Sequence, residues 1–525
     1  MELLGVALLC FVLFLSVAYL FLRDKQRFWL KRNFPHKPNP GLLFGHMDGN
    51  GSTRHAAYVT QEVYQYAKER GERFIGISYF FMPLVIVCDL SLVKTILVQD
   101  FGVFHDRGMY SNARSDPLSG HLFSLEGHEW RVLRQKLTPT FTSGRMKQMF
   151  GTMLAVAEEL RDVMAEGCTT AISGVFEQEM KDILARFTTD VIGKCAFGIE
   201  CNTLRDPESD FLKYGNKIFQ HKLSAVVKIL FAMMFRDWAK KLGVKATEDD
   251  VESFFINLVR ETVEYREKHN VQRNDFLNLL IQIKNKGSVS DVDDESNHGG
   301  TGEVGMTQNE LTAQVFIFFV AGFETSSTVM NFCLYELAKN LDIQERLREE
   351  INTAIDQAGG SLSYDVAMSI PYLNQVIKET LRKYPPLEST NRMAVQDYPI
   401  PGTTHVIPRN VLVQIPIYAI HHDPDYYPDP DRFDPERFSP SQSNGRPPYV
   451  FLPFGDGPRQ CIGMRFGLMQ VKVGLITLLR RFHLRPTQKT PERIVFDPKT
   501  FILSPVGGNH LEIVQVKSDR VTKMM

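Results

Sequence analysis

Apolar and polar positions change rhythm twice along this chain. From Leu3 to Leu22 nothing is charged (LLGVALLCFVLFLSVAYLFL), a run of 20 residues that as a helix would span about 30 Å, the thickness of a bilayer's hydrocarbon core. The long middle keeps helical periodicity, with Phe-, Leu-, Ile- and Met-rich stretches around 145–235 and 250–285. Beyond Pro385 the segments shorten and fill with Pro, Asp, Val and Ile, as in His405 to Ile417, which reads as strands and turns. These rhythms predict a mainly α protein with small β-sheets and a single N-terminal transmembrane helix. No fixed-period repeat is apparent.

Charge orients the first run. Arg23, Lys25, Arg27, Lys31 and Arg32 follow it and only Glu2 precedes it, the reverse of a cleaved signal peptide, whose apolar core is also shorter. An uncleaved anchor is the better reading, and the positive-inside rule then leaves the rest of the chain in the cytosol. Phe34 to Gly41 (FPHKPNPG) cannot continue a helix and reads as a stiff spacer. The resulting division is an anchor over 1–22, a basic and proline-rich hinge over 23–44 and a folded domain over 45–525. The only Asn-x-Ser/Thr acceptor in the chain is Asn50-Gly51-Ser52. Mass spectrometry of protein from eukaryotic cells should therefore find Asn50 bare, and a glycan there would reverse the orientation.

Between Asn285 and Met306 the chain turns to Gly, Ser, Asp and Glu, a composition that cannot bury apolar surface and predicts a mobile surface loop. Thr307 and Glu310 then have the spacing of a capping box, and the segment runs to about Lys339 before Asn340. That is a helix of roughly 30 residues and about 45 Å. Val315 to Phe323 is apolar on nearly every face, which suits a helix crossing the middle of a large domain. A second membrane span is the competing reading, but Glu324, Thr325, Ser326 and Ser327 cut the apolar run at about ten residues.

Composition narrows the classes. Of 525 residues, 43% are hydrophobic and 23% charged, which excludes a disordered or collagenous chain. The 60 Lys plus Arg are balanced by 61 Asp plus Glu, so there is no bulk positive field to grip a phosphate backbone, and no nucleic-acid partner is expected. The seven cysteines are odd in number, scattered from Cys10 to Cys461 and never spaced as Cys-x-x-Cys, so neither a disulfide framework nor structural zinc is suggested. Buried structural thiols are the default for Cys88, Cys168, Cys195, Cys201 and Cys333.

Cys461 is different. Residues 454–463 read FGDGPRQCIG, a tight glycine-rich loop, after which Ile462, Phe466, Met469, Val473 and Ile476 recur at helical spacing. Cys461 therefore sits at a helix amino terminus, where the dipole, peptide N–H groups and above all a metal would stabilise a thiolate. Phe454-x-x-Gly457-x-Arg459-x-Cys461-x-Gly463 resembles the haem-binding signature of the cytochrome P-450 superfamily. Trp130-x-x-x-Arg134, Ala321-Gly322-x-Glu324-Thr325, Glu379-x-x-Arg382 and Pro435-Glu436-Arg437-Phe438 stand in that family's order, so the resemblance covers essentially the whole chain, anchor included. Gly457 to Phe466 and Leu503-Ser504-Pro505 further resemble the microsomal insect family-six detoxification enzymes and their vertebrate family-three relatives.

The resemblance implies the fold of that superfamily, with 45–525 as the haem-thiolate catalytic domain, and a role for each matched residue. Cys461 would be the axial ligand to the iron of haem b (iron protoporphyrin IX). Phe454 would pack beside the haem, and Gly457 and Gly463 would allow close backbone approach. Trp130, Arg134, Arg392 and Arg459 would meet the two propionates, which need charge-assisted partners once out of water. Gly322 would leave room for dioxygen, Thr325 would hydrogen-bond beside it, and Glu324 would relay protons from solvent. On its own, a mid-helix threonine is usually just bonded back to the preceding turn. Glu379, Arg382 and Arg437 would form a buried structural network that holds the cysteine loop.

Pocket candidates are Phe123, in the polar and mobile stretch 104–126, then Ile317, Val320 and Ala321 on the long helix, Leu387 and Phe501. Each could equally be core packing, and the apolar set suits lipophilic ligands. No nucleotide fingerprint or flavin domain is evident, so electrons must come from outside. The resemblance implies NADPH-cytochrome P-450 reductase as donor, O2 and NADPH as co-substrates, cytochrome b5 as a second donor, and the endoplasmic reticulum membrane as the location. Arg131, Lys136 and Arg465 lie where they could meet an acidic partner. The implied activity is a monooxygenase that hydroxylates, epoxidises or dealkylates xenobiotics such as plant toxins or insecticides. The alternatives are a hormone or fatty-acid hydroxylase, a haem-thiolate isomerase or dehydratase that needs no reductase, and a haem-free membrane scaffold.

Overall fold

Thr307 caps the element around which the rest is built. Its hydroxyl accepts from the Glu310 amide at 3.2 Å while Glu310 Oε2 accepts from the Thr307 amide at 2.7 Å, the reciprocal pair that the spacing predicts. The long helix then runs Gln308–Lys339. Of its most apolar window 61% is buried within the protein, against 0% for the anchor helix Glu2–Gln26. The first is thus a core helix, and the second is long and apolar enough to cross a membrane. The structure, a computed structural model, describes residues 2–171, 175–219, 223–287 and 305–516; the surface loop expected between 285 and 306 falls almost wholly outside them.

Among the described residues the body is mainly helical with three small sheets. Strands β1 (Phe74–Tyr79) and β2 (Met82–Val87) form a hairpin, and β3 (Phe176–Glu179) follows within the helical half. Six more lie beyond Pro385, where the sequence pattern placed them: β4 (Thr390–Met393), β5 (Tyr398–Pro399), β6 (Val406–Ile407), β7 (Leu412–Ile415), β8 (Phe482–Pro486) and β9 (His510–Gln515). The largest sheet has the order β1-β2-β7-β4, with β2 parallel to β7 and Val85 opposite Val413. Its buried faces carry Ile75, Ile77, Val85, Val87, Val413 and Ile415, β-branched side chains that pack well on a pleated surface.

The main core gathers on the long helix from the helices Ser143–Thr170, Met180–Ile192, Pro371–Lys383 and Met464–Arg481. The crossing with Met180–Ile192 is close: a Cβ on Gly322 would collide with Ile192 Cδ1, a packing reason for that glycine which its neighbours in sequence do not reveal. The basic, proline-rich segment is not a free spacer. Trp29 is 1% exposed and donates from Nε1 to Ile77 O at 2.8 Å, and Phe34, 3% exposed, packs against it with ring centroids 4.4 Å apart. The chain just after the anchor helix is therefore part of the sheet's own core.

Candidate active site

The loop that carries Cys461 is built by its backbone. Gly457 has φ +72°, and a Cβ there would run into the Leu97 carbonyl, so only glycine fits. Asp456 accepts from the Gly457 amide at 2.6 Å, the Cys461 amide donates to Phe454 O at 3.0 Å, and Gly463 caps the helix Met464–Arg481. Gly463, by contrast, has a negative φ of −88° and ordinary spacing to Phe141. Its contribution is its amide, which is aimed at the Cys461 sulfur. Burial pushes the thiol's pKa up, opposed by that amide and by Arg134 and Arg107. A bare thiol here stays neutral, and a thiolate needs an electron-poor partner such as a metal.

Cys461 faces a cavity of about 280 Å³, at the low end of the roughly 300–1,000 Å³ of ligand pockets and walled mostly by apolar side chains. The opposite wall is the middle of the long helix, with Ile317, Ala321, Gly322 and Thr325 in the lining. Phe123, Leu387 and Phe454 also line it. Two of the expected pocket residues do not. Val320 packs partly buried against the core, and Phe501 is 66% exposed while its neighbours Ile502 and Leu503 take the buried positions.

Three guanidinium groups, those of Arg107, Arg134 and Arg459, line the same cavity, and that of Arg392 lies within electrostatic reach of two of them behind the lining residue Thr390. Arg459, 3% exposed, donates to His105 O and Leu125 O, each at 2.8 Å, and lies 3.9 Å over the Trp130 ring. Arg134 donates to Gln460 O at 3.0 Å, and Arg392, 1% exposed, donates to Thr390 Oγ1 at 3.1 Å and Asn391 O at 2.9 Å. Sequence reasoning missed Arg107, which donates to Arg459 O at 3.0 Å and stacks 4.3 Å over the Phe123 ring. The stretch 104–126 is thereby tied into the site at several points.

These cations are short of anions. The nearest carboxylate to Arg459, that of Asp106, is 3.8 Å away and already accepts from His105 at 2.6 Å and the Gly127 amide at 2.7 Å. The Nε groups of Arg107 and Arg392 are buried without a hydrogen-bond partner. Burial first, then mutual repulsion, pushes Arg459 down to about 9 and Arg392 well below its ordinary value, and burial takes Arg107 to about 10. Guanidinium remains charged in proteins, so these shifts register a field that a bound anionic group would relieve. A thiol on one face, an apolar wall on the other and three arginines at the edge, with Arg392 behind them, fit a haem, with its iron and its two carboxylates.

The pair Glu324 and Thr325 divides. Thr325 lines the cavity with its Oγ1 donating to Ala321 O at 2.6 Å. Glu324 is absent from the lining and is ion-paired at 2.9 Å to Lys181 of the neighbouring helix. The expected inward relay is thus held outside the cavity wall, because consecutive helical residues cannot share a face.

The expected ion network is present and buried. Arg382 and Glu379, both 0% exposed, form a two-point pair at 2.7 and 2.8 Å, with Arg437 Nε 3.5 Å from Glu379. Arg382 also donates to His421 O at 3.1 Å, and His421 Nε2 accepts from the Leu452 amide at 2.9 Å, two residues before Phe454. Burial, with Arg382 adding to it, pushes His421 down to about 3, so it stays a neutral acceptor. This histidine, invisible as a lone residue in the sequence, joins the network to the cysteine loop.

A family model described as cytochrome P-450 matches residues 35–511. Curated relatives agree along nearly the whole length. Cytochrome P-450 6a2 of Drosophila melanogaster is 45% identical over 504 residues, 95% of this chain and 97% of that protein. The probable cytochrome P-450 6a14 of Drosophila melanogaster is 43% identical over 493 residues, 93% and 95% of the two chains. Cytochrome P-450 6A1 of Musca domestica is 42% identical over 507 residues, 96% of each chain.

Proposed function

The chain belongs to the cytochrome P-450 family and is a haem monooxygenase, and from that premise we propose that it draws electrons from NADPH through a membrane-bound reductase to oxidise lipophilic foreign compounds. One oxygen atom of O2 enters the substrate as a hydroxyl, an epoxide or the oxygen that triggers dealkylation. The other leaves as water, with two electrons from NADPH and two protons consumed. Plant toxins and insecticides are the proposed substrates, supported by the similarity to the family-six relatives and by the apolar cavity. The single observation that carries the reading is Cys461 facing a cavity edged by guanidinium groups whose one carboxylate neighbour among the described residues, Asp106, stands 3.8 Å from Arg459.

Cys461 would hold the haem iron, and Arg107, Arg134, Arg392 and Arg459, with Trp130, would hold the propionates. When bound, the haem would supply dioxygen activation, favoured by electron donation from the Cys461 thiolate. Phe123, Ile317, Ala321 and Leu387 exclude water and orient an apolar substrate. Thr325 presents a hydroxyl to the same space; its bond to Ala321 O must break before that proton can point inward. Exposed Arg131 and Arg465 border the cysteine side and suit an acidic electron donor, with cytochrome b5 as a second one. The anchor helix and the basic residues after it suit the endoplasmic reticulum membrane with the domain in the cytosol.

The test is reconstitution with reductase and NADPH against a panel of lipophilic toxins. Substrate-dependent NADPH consumption with oxygenated product supports the proposal. Turnover of a peroxide substrate with no NADPH consumed would instead favour the isomerase. Replacing Thr325 with alanine should leave substrate binding intact and lower product formed per NADPH by about tenfold or more, the scale of a lost general acid, with the electrons appearing in peroxide or water. Unchanged coupling would remove Thr325 from proton delivery.

A further inference from the structure

Ser389 brings a hydroxyl to the cavity from the segment that joins the helix Pro371–Lys383 to β4. Pro386, Leu387, Ser389 and Thr390 line the cavity there, and Glu388 stands just behind the lining, its carbonyl held by the Tyr418 amide at 2.8 Å. Ser389 Oγ donates to Glu388 Oε1 at 2.7 Å. Gln414 Nε2, on β7, donates to Ser389 Oγ at 2.7 Å and to Glu388 Oε1 at 3.2 Å. A hydroxyl has one proton and two lone pairs. With its proton on Glu388 and one lone pair on Gln414, Ser389 keeps one acceptor for the space it lines.

The carboxyl behind that hydroxyl is short of partners. Glu388 Oε2 and Gln414 Oε1 are both buried without a hydrogen-bond partner, as is Thr60 Oγ1 on the helix Ala56–Lys68. The side chains that act on the carboxyl, those of Ser389, Thr60 and Gln414, are all neutral, and against them burial pushes it up to about 7. The titratable groups on the elements packed around it stay uncharged at that pH: burial raises Tyr418 and holds His55, His421 and His422 below their ordinary value. Arg392, the cation further along its own segment, is under the repulsion of Arg107 and Arg459 and donates to Thr390 Oγ1 and Asn391 O. A buried carboxylate without a cation is costly, and an incoming cation relieves that cost.

We propose that Ser389 and Glu388 form a recognition site for protonated amines, so that the compounds this enzyme selects are lipophilic bases. An ammonium N–H donates to Ser389 Oγ, while Glu388, a positioning residue, orients that hydroxyl and supplies the counter-charge. This selectivity rests on, and deepens, the reading of the enzyme as an oxidiser of lipophilic foreign compounds. The apolar body of such a base packs along Leu387, Ile317 and Ala321 of the same lining. Below about 7 the Glu388 carboxyl is neutral and above it charged, so affinity for the cation rises with pH until the amine itself loses its proton. A glutamate that only pinned this segment to β7 through Gln414 would affect stability and treat charged and neutral ligands alike.

The experiment is calorimetric titration of the full-length holoprotein with three matched probes. These are an N,N-dimethyl phenylbutylamine, its trimethylammonium analogue, which keeps the charge and lacks the N–H donor, and the corresponding neutral methyl ether. Glu388→Gln and Ser389→Ala should each weaken the amine by about tenfold, the scale of one charge-assisted hydrogen bond, and the ether by less than about twofold. The trimethylammonium ion should lose affinity in Glu388→Gln and keep it in Ser389→Ala. Wild-type affinity for the amine should rise about tenfold between pH 6 and pH 8, a rise that Glu388→Gln abolishes. Equal weakening of amine and ether, or an amine affinity unchanged in both variants, would overturn the site. So would an amine nitrogen bound to the iron, seen as a red-shifted Soret band that Glu388→Gln leaves in place. If no probe drew NADPH in the presence of reductase, the monooxygenase reading would fail, and the ratio of amine to ether affinity, which needs no turnover, would still decide the recognition site.

Discussion

Cys461→Ser is expected to give folded protein with no monooxygenase turnover. The substitution keeps size and shape while replacing the donor atom, and a serine hydroxyl does not ionise under conditions where a metal-bound thiol does. The surrounding structure does not depend on the sulfur: the loop is fixed by Gly457 against Leu97, by Asp456 and by the Cys461 amide on Phe454 O, all of which survive. The variant should therefore show wild-type circular dichroism and retain the arginine edge of the cavity, with product formation absent and any bound haem lacking its thiolate spectrum. A serine variant that oxidises substrate with reductase and NADPH at the wild-type rate would remove Cys461 from the chemistry.

Glu379→Ala is expected to destabilise the protein severely. It would leave Arg382, 0% exposed, without its two-point carboxylate partner, and breaking one member of a buried pair costs about 3–5 kcal/mol. That is a large part of the roughly 5–15 kcal/mol that holds a typical domain. The damage should reach the haem, because Arg382 also bonds His421 O and His421 holds the Leu452 amide beside the cysteine loop. Lowered haem per protein and an earlier denaturant midpoint are the readouts. Arg437→Ala, which removes a contact of 3.5 Å, should cost less. Equal stability of Glu379→Ala and wild type would show that the network is not structural.

The elements written in local chemistry were legible before the fold was known. The Thr307 and Glu310 spacing gave the start of the long helix, its apolar centre gave its burial, and the glycine-rich loop singled out Cys461 among seven cysteines. Where a side chain points across the domain was not legible. Adjacent residues on a helix diverge by about 100°, so Thr325 could enter the cavity only with Glu324 turned away. Phe501 and Ile502 show the same divergence in a loop, with the expected residue outside and its neighbour inside. Arg107, Lys181 and His421 carry no local signature; each meets its partners across 100 residues or more of chain, or, for His421, through a bond to Leu452 that only the packed fold creates. The segment after the anchor reads as a stiff spacer from its prolines, yet Trp29 and Phe34 find an apolar sheet to cover.

The central claim is that the Cys461 sulfur, as thiolate, ligates haem iron inside this cavity. The most direct measurement is the carbon-monoxide difference spectrum of the reduced, catalytically active full-length protein. A strongly red-shifted Soret band, present in the wild type and lost in Cys461→Ser, is the result expected. A band at the shorter wavelength of neutral-ligand haem in a fully active preparation, or activity in protein that binds no haem, would contradict it.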